Sequence, residues 1–293
     1  MIGFGQKTYV PNNNFENYLE SNGMGDGIFG NDSVTTANIN TVTYLDIQGL
    51  NVANALTGIE DFTALTYLNC WNNQLSTLDL SNNTGLTYLN CWYNNLNSLD
   101  VSNNTALNFL DCIDNQLTSL DVSNNIALTR LNCNQNQFTT LDLSNNTALT
   151  FLFCSQNQLT TLDLSNNSAL ASFDCNDNQL TCLNVKNQNN TNFIRFKTTD
   201  NPNLTCIEVD NVAYSTSNWV GLDFTFDSQN SFSEDCNNEC SGIPPLGLNE
   251  LSQPENLLSI TDLLGRPSLP VPNQILLYRY SDGSVEKRIQ LDR

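Results

Sequence analysis

Histidine is absent from the 293-residue sequence, and basic residues are scarce. Without histidine the chain has no histidine-dependent catalytic triad and no histidine-ligated zinc site. Ten Lys and Arg stand against thirty Asp and Glu, which gives a formal net charge of −20. Nucleic-acid binding needs clusters of Lys and Arg, so this balance argues against a DNA or RNA partner. We also expect no transmembrane segment and no cofactor.

A 21-residue repeat fills residues 65–190. Apolar residues stand at columns 1, 4, 6, 11, 14 and 16 of each copy, with Cys in column 6 and Asn in column 9. The spacing L-x-x-L-x-C-x-x-N-x-L is the leucine-rich-repeat consensus, and repetition at a fixed period predicts a solenoid. The six copies begin at Leu65, Leu86, Leu107, Leu128, Leu149 and Leu170.

The two halves of each copy predict different backbone structures. In the segment x-L-x-C-x the side chains alternate in and out, so we expect a short strand and, from stacked copies, a parallel sheet on the concave face. The second half is rich in Ser, Asn, Asp and Thr, which favour extended or 3-10 backbone over helix on the convex face. We expect the Asn of column 9 to bond backbone groups of adjacent coils. The predicted fold is a leucine-rich-repeat solenoid, of α/β class but dominated by β-structure.

The remaining segments predict caps at both ends of the solenoid and a separate C-terminal unit. A solenoid needs such caps because its terminal repeats have only one neighbour. In the N-terminal segment, Asn14 is expected to cap a short helix. The predicted divisions are a signal-peptide remnant at 1–6, an N-terminal cap at 7–41, a divergent first repeat at 42–64, six repeats at 65–190, a C-terminal cap at 191–240, a linker at 241–256 and a small β unit at 257–293.

The ten Cys fall into two groups. Six stand in column 6 of the copies, where we expect them to be buried, unpaired and inert: Cys70, Cys91, Cys112, Cys133, Cys154 and Cys175. The other four predict a disulfide-stapled C-terminal cap in an oxidising compartment. We favour the pairs Cys206–Cys236 and Cys182–Cys240. The main alternative is Cys182–Cys206 with Cys236–Cys240.

Aromatic side chains gather in the outward columns of the first copies. Column 3 is assigned to Tyr67, Tyr88, Phe109, Arg130, Phe151, Ser172 and Phe193. Exposed aromatics with a polar rim mark interaction sites. We therefore predict a ligand site at Trp71, Trp92 and Tyr93, with Tyr67, Tyr88 and Phe109 beside them. The alternative is that the stacked rings only stabilise strand pairing.

An acidic column follows the convex face, at Asp79, Asp100, Asp121, Asp142 and Asp163. Calcium would neutralise such a column. Like charges about 5 Å apart in water repel by only about 1 kcal/mol or less per pair, so we favour a solvated stripe and expect no metal site.

The C-terminal segment resembles a known family of sorting signals. The phrases ITDLLGRP and ILLYRYSDGSVEKRI are similar to the C-terminal sorting segment of bacterial type IX secretion cargo. The repeats with their Cys column and the opening VPNNNFENYLE resemble leucine-rich-repeat proteins that carry such segments, and residues 1–6 resemble the end of a signal peptide. The resemblance implies a secreted or cell-surface protein that meets the type IX machinery through 257–293. The unit is shorter than is usual for sorting domains, and cleavage or retention stays open.

These features favour a secreted or cell-surface binding protein, adhesin-like, that recognises a protein or a glycan on its concave face. The alternative is a structural surface-layer component without a specific ligand. An enzyme is disfavoured, because no nucleophile–base set and no pair of acids interrupts the repeats.

Overall fold

The chain forms two compact units, Met1–Ile243 and Pro244–Arg293. The computed structural model describes residues 5–236, 240, 257–262, 275–280 and 285–289. The predicted signal remnant therefore lies mainly outside the described residues, and the predicted linker lies wholly outside them. In the second unit the strands Leu257–Asp262, Ile275–Tyr280 and Val285–Ile289 form an antiparallel sheet, the small β unit that the sequence predicts.

One long parallel sheet runs through the first unit and joins nine strands. Each repeat contributes one strand, and paired residues are 21 positions apart, as for Tyr67 with Tyr88. This in-register stack confirms the leucine-rich-repeat solenoid. In chain order the strands are Tyr44–Asp46, Tyr67–Asn69, Tyr88–Asn90, Phe109–Asp111, Arg130–Asn132, Phe151–Phe153, Ser172–Asp174, Arg195–Lys197 and Phe224–Thr225.

The opposite side of the coils is extended, as the sequence predicts. Residues 65–190, all of which the structure describes, contain no α-helix. A four-stranded parallel sheet forms on this side from Thr161–Asp163, Cys182–Asn184, Cys206–Glu208 and Ser231–Ser233. Ala53–Ala55 pairs with Gln74–Thr77 near the other end.

The Asn of column 9 ties each coil to the next, as predicted. The side-chain amide of Asn94 donates to the carbonyls of Cys70 (3.1 Å) and Cys91 (3.0 Å), and its oxygen accepts from the backbone N–H of Leu75 (3.0 Å). The same pattern recurs at Asn115, Asn136, Asn157 and Asn178. These side chains satisfy buried backbone groups that no strand partner reaches.

A second Asn column, which the sequence analysis missed, does the same on the other side of the coil. The amide of Asn104 donates to the carbonyls of Leu80 (3.1 Å) and Asn83 (2.9 Å). Its members occupy column 19 of the first five copies, and all are buried: Asn83, Asn104, Asn125, Asn146 and Asn167. The invariance of that column was visible in the sequence.

The N-terminal end is closed by an antiparallel pair, Lys7–Tyr9 with Ser33–Thr35, and by the helices Asn13–Ser21 and Thr36–Ile39. The prediction that Asn14 caps the first helix is wrong. Asn12 is the cap: its backbone is extended (φ −84°, ψ 110°), and its side chain accepts from the N–H groups of Asn14 and Phe15. Asn14 lies one residue inside the helix, where helical backbone dihedrals rule out the capping geometry.

The long sheet continues beyond the last sequence repeat. Ser172 pairs with Arg195, a step of 23 residues, so a two-residue insertion separates these coils. The assignment of Phe193 to outward column 3 is therefore wrong, and Arg195 takes that place. Phe193 is buried and its ring lies 5.7 Å from that of Trp219, within the aromatic cluster that closes this end. The helix Val212–Asn218 and the 3-10 turns Ile59–Asp61 and Asn190–Asn192 complete the unit.

Two disulfide bonds staple the C-terminal end of the solenoid. They join Cys206 to Cys236 and Cys182 to Cys240, which is the pairing that the sequence analysis favours. Both Cys182 and Cys206 begin strands of the four-stranded sheet. The two bonds therefore connect that sheet to the residues that follow it.

Candidate binding face

Four aromatic rings stack in a row across the long sheet. Adjacent ring centroids are 4.3 Å apart along Tyr44, Tyr67, Tyr88 and Phe109, and adjacent planes differ by 10–13°. The rows of the parallel sheet impose this spacing, because strands lie about 4.8 Å apart. The inner rings cover one another's faces, whereas Tyr44, on the edge strand, has a ring neighbour on one side only and is 58% exposed. We call this row the column-3 stack.

Trp71 and Trp92 form a second stack, in column 7 of the first two copies. Their centroids are 5.2 Å apart and their planes differ by 16°, close to the predicted spacing of about 5 Å. Both side chains are half-buried. Within the part of the chain that the structure describes, neither indole N–H donates to a protein acceptor. These two donors face solvent and are open to a ligand.

Tyr93 is the most exposed member of the predicted site, with 54% of its surface accessible. Its φ is +54°, in the left-handed region, and every other copy has positive φ in this column. The other copies use Asn72, Asp114, Gln135, Gln156 and Asp177 there. Asn and Asp adopt this conformation more readily than residues with bulky side chains. A tyrosine here has neither a backbone advantage nor a buried ring to favour it.

Polar side chains of column 5 lie between the two stacks. The carboxylate of Asp111 accepts from the N–H of Ile113 (3.3 Å) and from the amide of Asn132 (3.4 Å). Burial raises the pKa of Asp111 to about 6, against the opposing effects of these hydrogen bonds and of nearby Arg130. Asn69 is also buried, and its side-chain oxygen accepts from the N–H of Trp71.

Arginine replaces the aromatic residue in column 3 of the fourth copy. The guanidinium carbon of Arg130 lies 5.4 Å from the ring centroid of Phe109 and 5.5 Å from that of Phe151. Phe153 of column 5 is 5.7 Å from Arg130 and also 5.7 Å from Arg195. Arg195 donates to Asp174 at 2.6 Å. In the later half of the face, therefore, arginine side chains make cation–π interactions with phenylalanine rings.

The structure stacks Tyr67, Tyr88 and Phe109 in one row and Trp71 on Trp92 in another, and it leaves Tyr93 exposed without a ring contact among the described residues. Tyr44, which was not predicted, is 58% exposed and begins the column-3 stack. Its signal was present, because Thr43–Ile47 reads TYLDI and the first full repeat reads TYLNC. Arg130 was placed in the correct column but given no role.

The acidic column of the convex face makes turns. Each carboxylate accepts from the N–H of the Ser two residues later, as Asp79 does from Ser81 at 2.9 Å. Hydrogen bonds from Ser81 lower the pKa of Asp79, and those from Ser102 lower that of Asp100. Over the described residues, His, Cys, Asp and Glu form no group of three or more that is suited to a metal ion. A local structural role accounts for these aspartates.

The six Cys of column 6 are buried and free, as predicted. Desolvation raises the pKa of the Cys70 thiol to about 12, and it raises that of the other five as well. The thiolate is the reactive form of cysteine, so these side chains are inert in the folded chain.

No family model matches the chain, and no curated protein matches it. Among solved structures it is similar to the functional domain of InlJ from Listeria monocytogenes, described as including a cysteine ladder, with 26% identity, a TM-score of 0.40, and coverage of 71% of this chain and 68% of that one. It is also similar to internalin C2 of the same organism, at 21% identity and a TM-score of 0.45 over 71% of this chain and 100% of that one. A leucine-rich-repeat protein of Leptospira interrogans shares 23% identity at a TM-score of 0.47, with 58% of this chain and 51% of that one covered.

The fold assignment rests on the in-register repeats of this chain itself. Among the described helices none is long and apolar enough to cross a membrane.

Proposed function

We propose that the protein is a secreted or cell-surface binding protein, adhesin-like and without catalytic activity, that recognises a protein or glycan on the long sheet. Trp71, Trp92 and Tyr93 anchor the ligand, with Tyr67, Tyr88 and Phe109 beside them. Repeat solenoids present extended surfaces of this kind for recognition.

Tyr93 is the single observation that carries this proposal. The residue is 54% exposed and its backbone is left-handed, in a column where the other copies have Asn, Asp or Gln. Packing does not reward an exposed ring, and the backbone conformation does not favour one. Beside it the two indole N–H groups face solvent. A ligand that covers this group accounts for all three features.

A structural role without a ligand is the second candidate, and the column-3 stack favours it. Rings 4.3 Å apart on neighbouring strands stabilise the pairing of those strands. On this account a surface-layer component uses the aromatic residues only to hold its own coils together.

Secretion is part of the same proposal. Disulfides persist in oxidising surroundings, and the chain has two of them. The segment 257–293, which resembles type IX sorting segments, would engage the secretion machinery, and residues 1–6 would be the remnant of an export signal. The mature protein would then stand on the cell surface or outside the cell.

The binding proposal is tested by probing protein and glycan arrays with the purified full chain and with Tyr93→Asn. We expect a ligand that binds the wild-type chain and binds the variant at least about tenfold more weakly. The thermal midpoint should be unchanged or higher, because Asn fits the left-handed position better. Asp114→Asn, in the same column of the next copy, is the matched control and should bind normally. Equal binding by all three proteins, or no ligand on either array, would favour the structural alternative.

The sorting proposal is tested by deleting 257–293 in a bacterium with type IX secretion. The first unit is compact without this segment, so the truncated chain should keep its cooperative melt. It should accumulate inside the cell while the full chain reaches the surface. Normal surface display of the truncated chain would refute the sorting role.

A further inference from the structure

Two arginines occupy equivalent places on the long sheet, and they differ in one respect. Arg130 and Arg195 both stand in column 3, and each has an aspartate in column 5 of the preceding coil, Asp111 and Asp174 respectively. Arg195 forms an ion pair of 2.6 Å with its aspartate, Asp174. Arg130 forms no such pair, because among the described residues no carboxylate lies within 4.0 Å of its guanidinium.

The neighbours of the two arginines explain the difference. Arg130 lies between Phe109 and Phe151 of its own column, and its guanidinium carbon is within 5.5 Å of both ring centroids. Arg195 has the small Ser172 beside it, which leaves its side chain room to reach Asp174. Planar guanidinium groups stack on aromatic faces and are more weakly hydrated than an ammonium group. The rings therefore hold Arg130 in place without satisfying its N–H donors.

The terminal donors of Arg130 remain available. Its Nε is buried and unpartnered, as is that of Arg195, but its two terminal nitrogens are not buried, and they donate no hydrogen bond within the described ranges. The oxygens of Asp111 are already engaged by Ile113 and Asn132. Arg130 is thus a preorganised cation without a carboxylate partner among the described residues. Cationic side chains are scarce in this chain, whose net charge is −20.

The stacked rings decide which ligands fit beside this cation. Because the faces of Tyr67, Tyr88 and Phe109 cover one another, the exposed ring that a sugar could lie on is Tyr44 at the end of the stack, four strands from Arg130. The edges of aromatic rings carry partial positive charge, and tyrosine hydroxyls donate hydrogen bonds. Such a row attracts carbonyl and carboxylate oxygens, which a peptide supplies at regular intervals.

From this geometry we infer that Arg130 is a carboxylate-binding site on the long sheet, and that it receives an Asp or Glu side chain of a peptide ligand running along the column-3 stack. A carboxylate accepts two parallel hydrogen bonds from a guanidinium fork, which lysine cannot provide. The inference rests on the proposed binding function and specifies the chemistry of its ligand.

The test is a titration of the ¹⁵N-labelled full chain, followed through the Nε–H signals of its six arginines. The Arg130 signal is assigned by its loss in Arg130→Lys. The probes are N-acetyl-glutamate amide, its neutral counterpart N-acetyl-glutamine amide, and galacturonate. We expect the glutamate probe to shift the Arg130 signal saturably and the glutamine probe to bind at least about tenfold more weakly. The Arg195 signal serves as the internal control and should not move, because a terminal nitrogen of that guanidinium is already paired with Asp174.

An Arg130 signal that does not move, or that moves equally with the glutamine probe, would overturn the inference. So would equal movement of Arg195, because binding would then be unspecific. Galacturonate binding as tightly as the glutamate probe would overturn the choice of a peptide. The array experiment is independent of this one. A Tyr93-dependent ligand without carboxylate binding at Arg130 would leave the proposed function standing and remove only the inference.

Discussion

The first two coils and the later coils fill the same outward column in different ways. In column 7, Trp71 and Trp92 stack on each other, whereas Asn134 and Asn176 make hydrogen bonds between coils. The amide oxygen of Asn134 accepts from the N–H of Ser155 at 2.7 Å, and that of Asn176 accepts from Thr199 at 2.8 Å. The backbone follows the same path in both regions. The comparison teaches that the coil does not require tryptophan in this column, so the aromatic residues are free to serve another purpose.

The largest expected effect is a loss of stability in the later coils that leaves the first coils unchanged. Cys206→Ser removes one of the two disulfides, and losing such a bond costs about 2–5 kcal/mol of unfolding free energy. Coils interact mainly with their neighbours, so the later coils should melt at a lower temperature while the first coils keep theirs. Calorimetry and hydrogen exchange by coil would measure this. A uniform loss along the chain, or four free thiols at Cys182, Cys206, Cys236 and Cys240 in the wild type, would contradict the account.

The next effect should be equal in both regions, because both use the Asn of column 9. Asn94→Ala in an early coil and Asn157→Ala in a late coil each leave a buried N–H without its acceptor, on Leu75 and Phe138 respectively. We expect each change to cost about 3 kcal/mol, measured by urea unfolding. Asn95→Ala, at an exposed position beside the first, is the control and should cost less than about 0.5 kcal/mol. A marked difference between the two losses of unfolding free energy would show that the Asn of column 9 does not stabilise early and late coils equally.

A smaller effect concerns Asp111, at the border between the two regions. The two neighbouring coils have Asn90 and Asn132 at the equivalent position. Burial raises the pKa of Asp111 from 3.8 to about 6, so the folded state favours the protonated acid. The stability of the wild type therefore falls as pH rises from about 4 to about 6. Asp111→Asn should be more stable than wild type by about 2 kcal/mol at pH 7, and the gain should vanish below pH 4. Urea unfolding at both pH values measures it; a gain that is the same at both would be inconsistent with this pKa.

The sequence predicts the coil well because a strict period decides which side chains point inward. The Leu and Cys columns and the Asn of column 9 follow from that period alone. The insertion before Arg195 was not predicted, because a shift of two residues keeps the in–out alternation of the strand. Its mark was the Asn of column 9, which reappears at Asn201, 23 residues after Asn178, and makes the same bonds to the preceding coil. Three consecutive asparagines, Asn12 to Asn14, offer equivalent caps, and only the backbone dihedrals distinguish them.

The face itself was predicted as a set of columns, but its chemistry was not. Arg130 and Arg195 have equivalent places in the repeat, and side-chain packing alone decides which one pairs with its aspartate. Such a choice depends on the neighbour in the same row, a phenylalanine in one case and a serine in the other. A pattern of apolar and polar columns does not contain that information.

The central claim is that the aromatic residues of the first coils serve a ligand and not the fold. The measurement is the stability and ligand affinity of the double variant Trp71→Ser and Trp92→Asn, which gives the first coils the kind of residue that the later coils have. The account predicts a folded protein with a cooperative melt. It also predicts a loss of about thirtyfold in affinity for the ligand identified on the arrays, as truncating anchoring rings commonly costs about 2 kcal/mol. An unfolded variant would show that the tryptophans are structural, and a folded variant with unchanged affinity would place the site elsewhere.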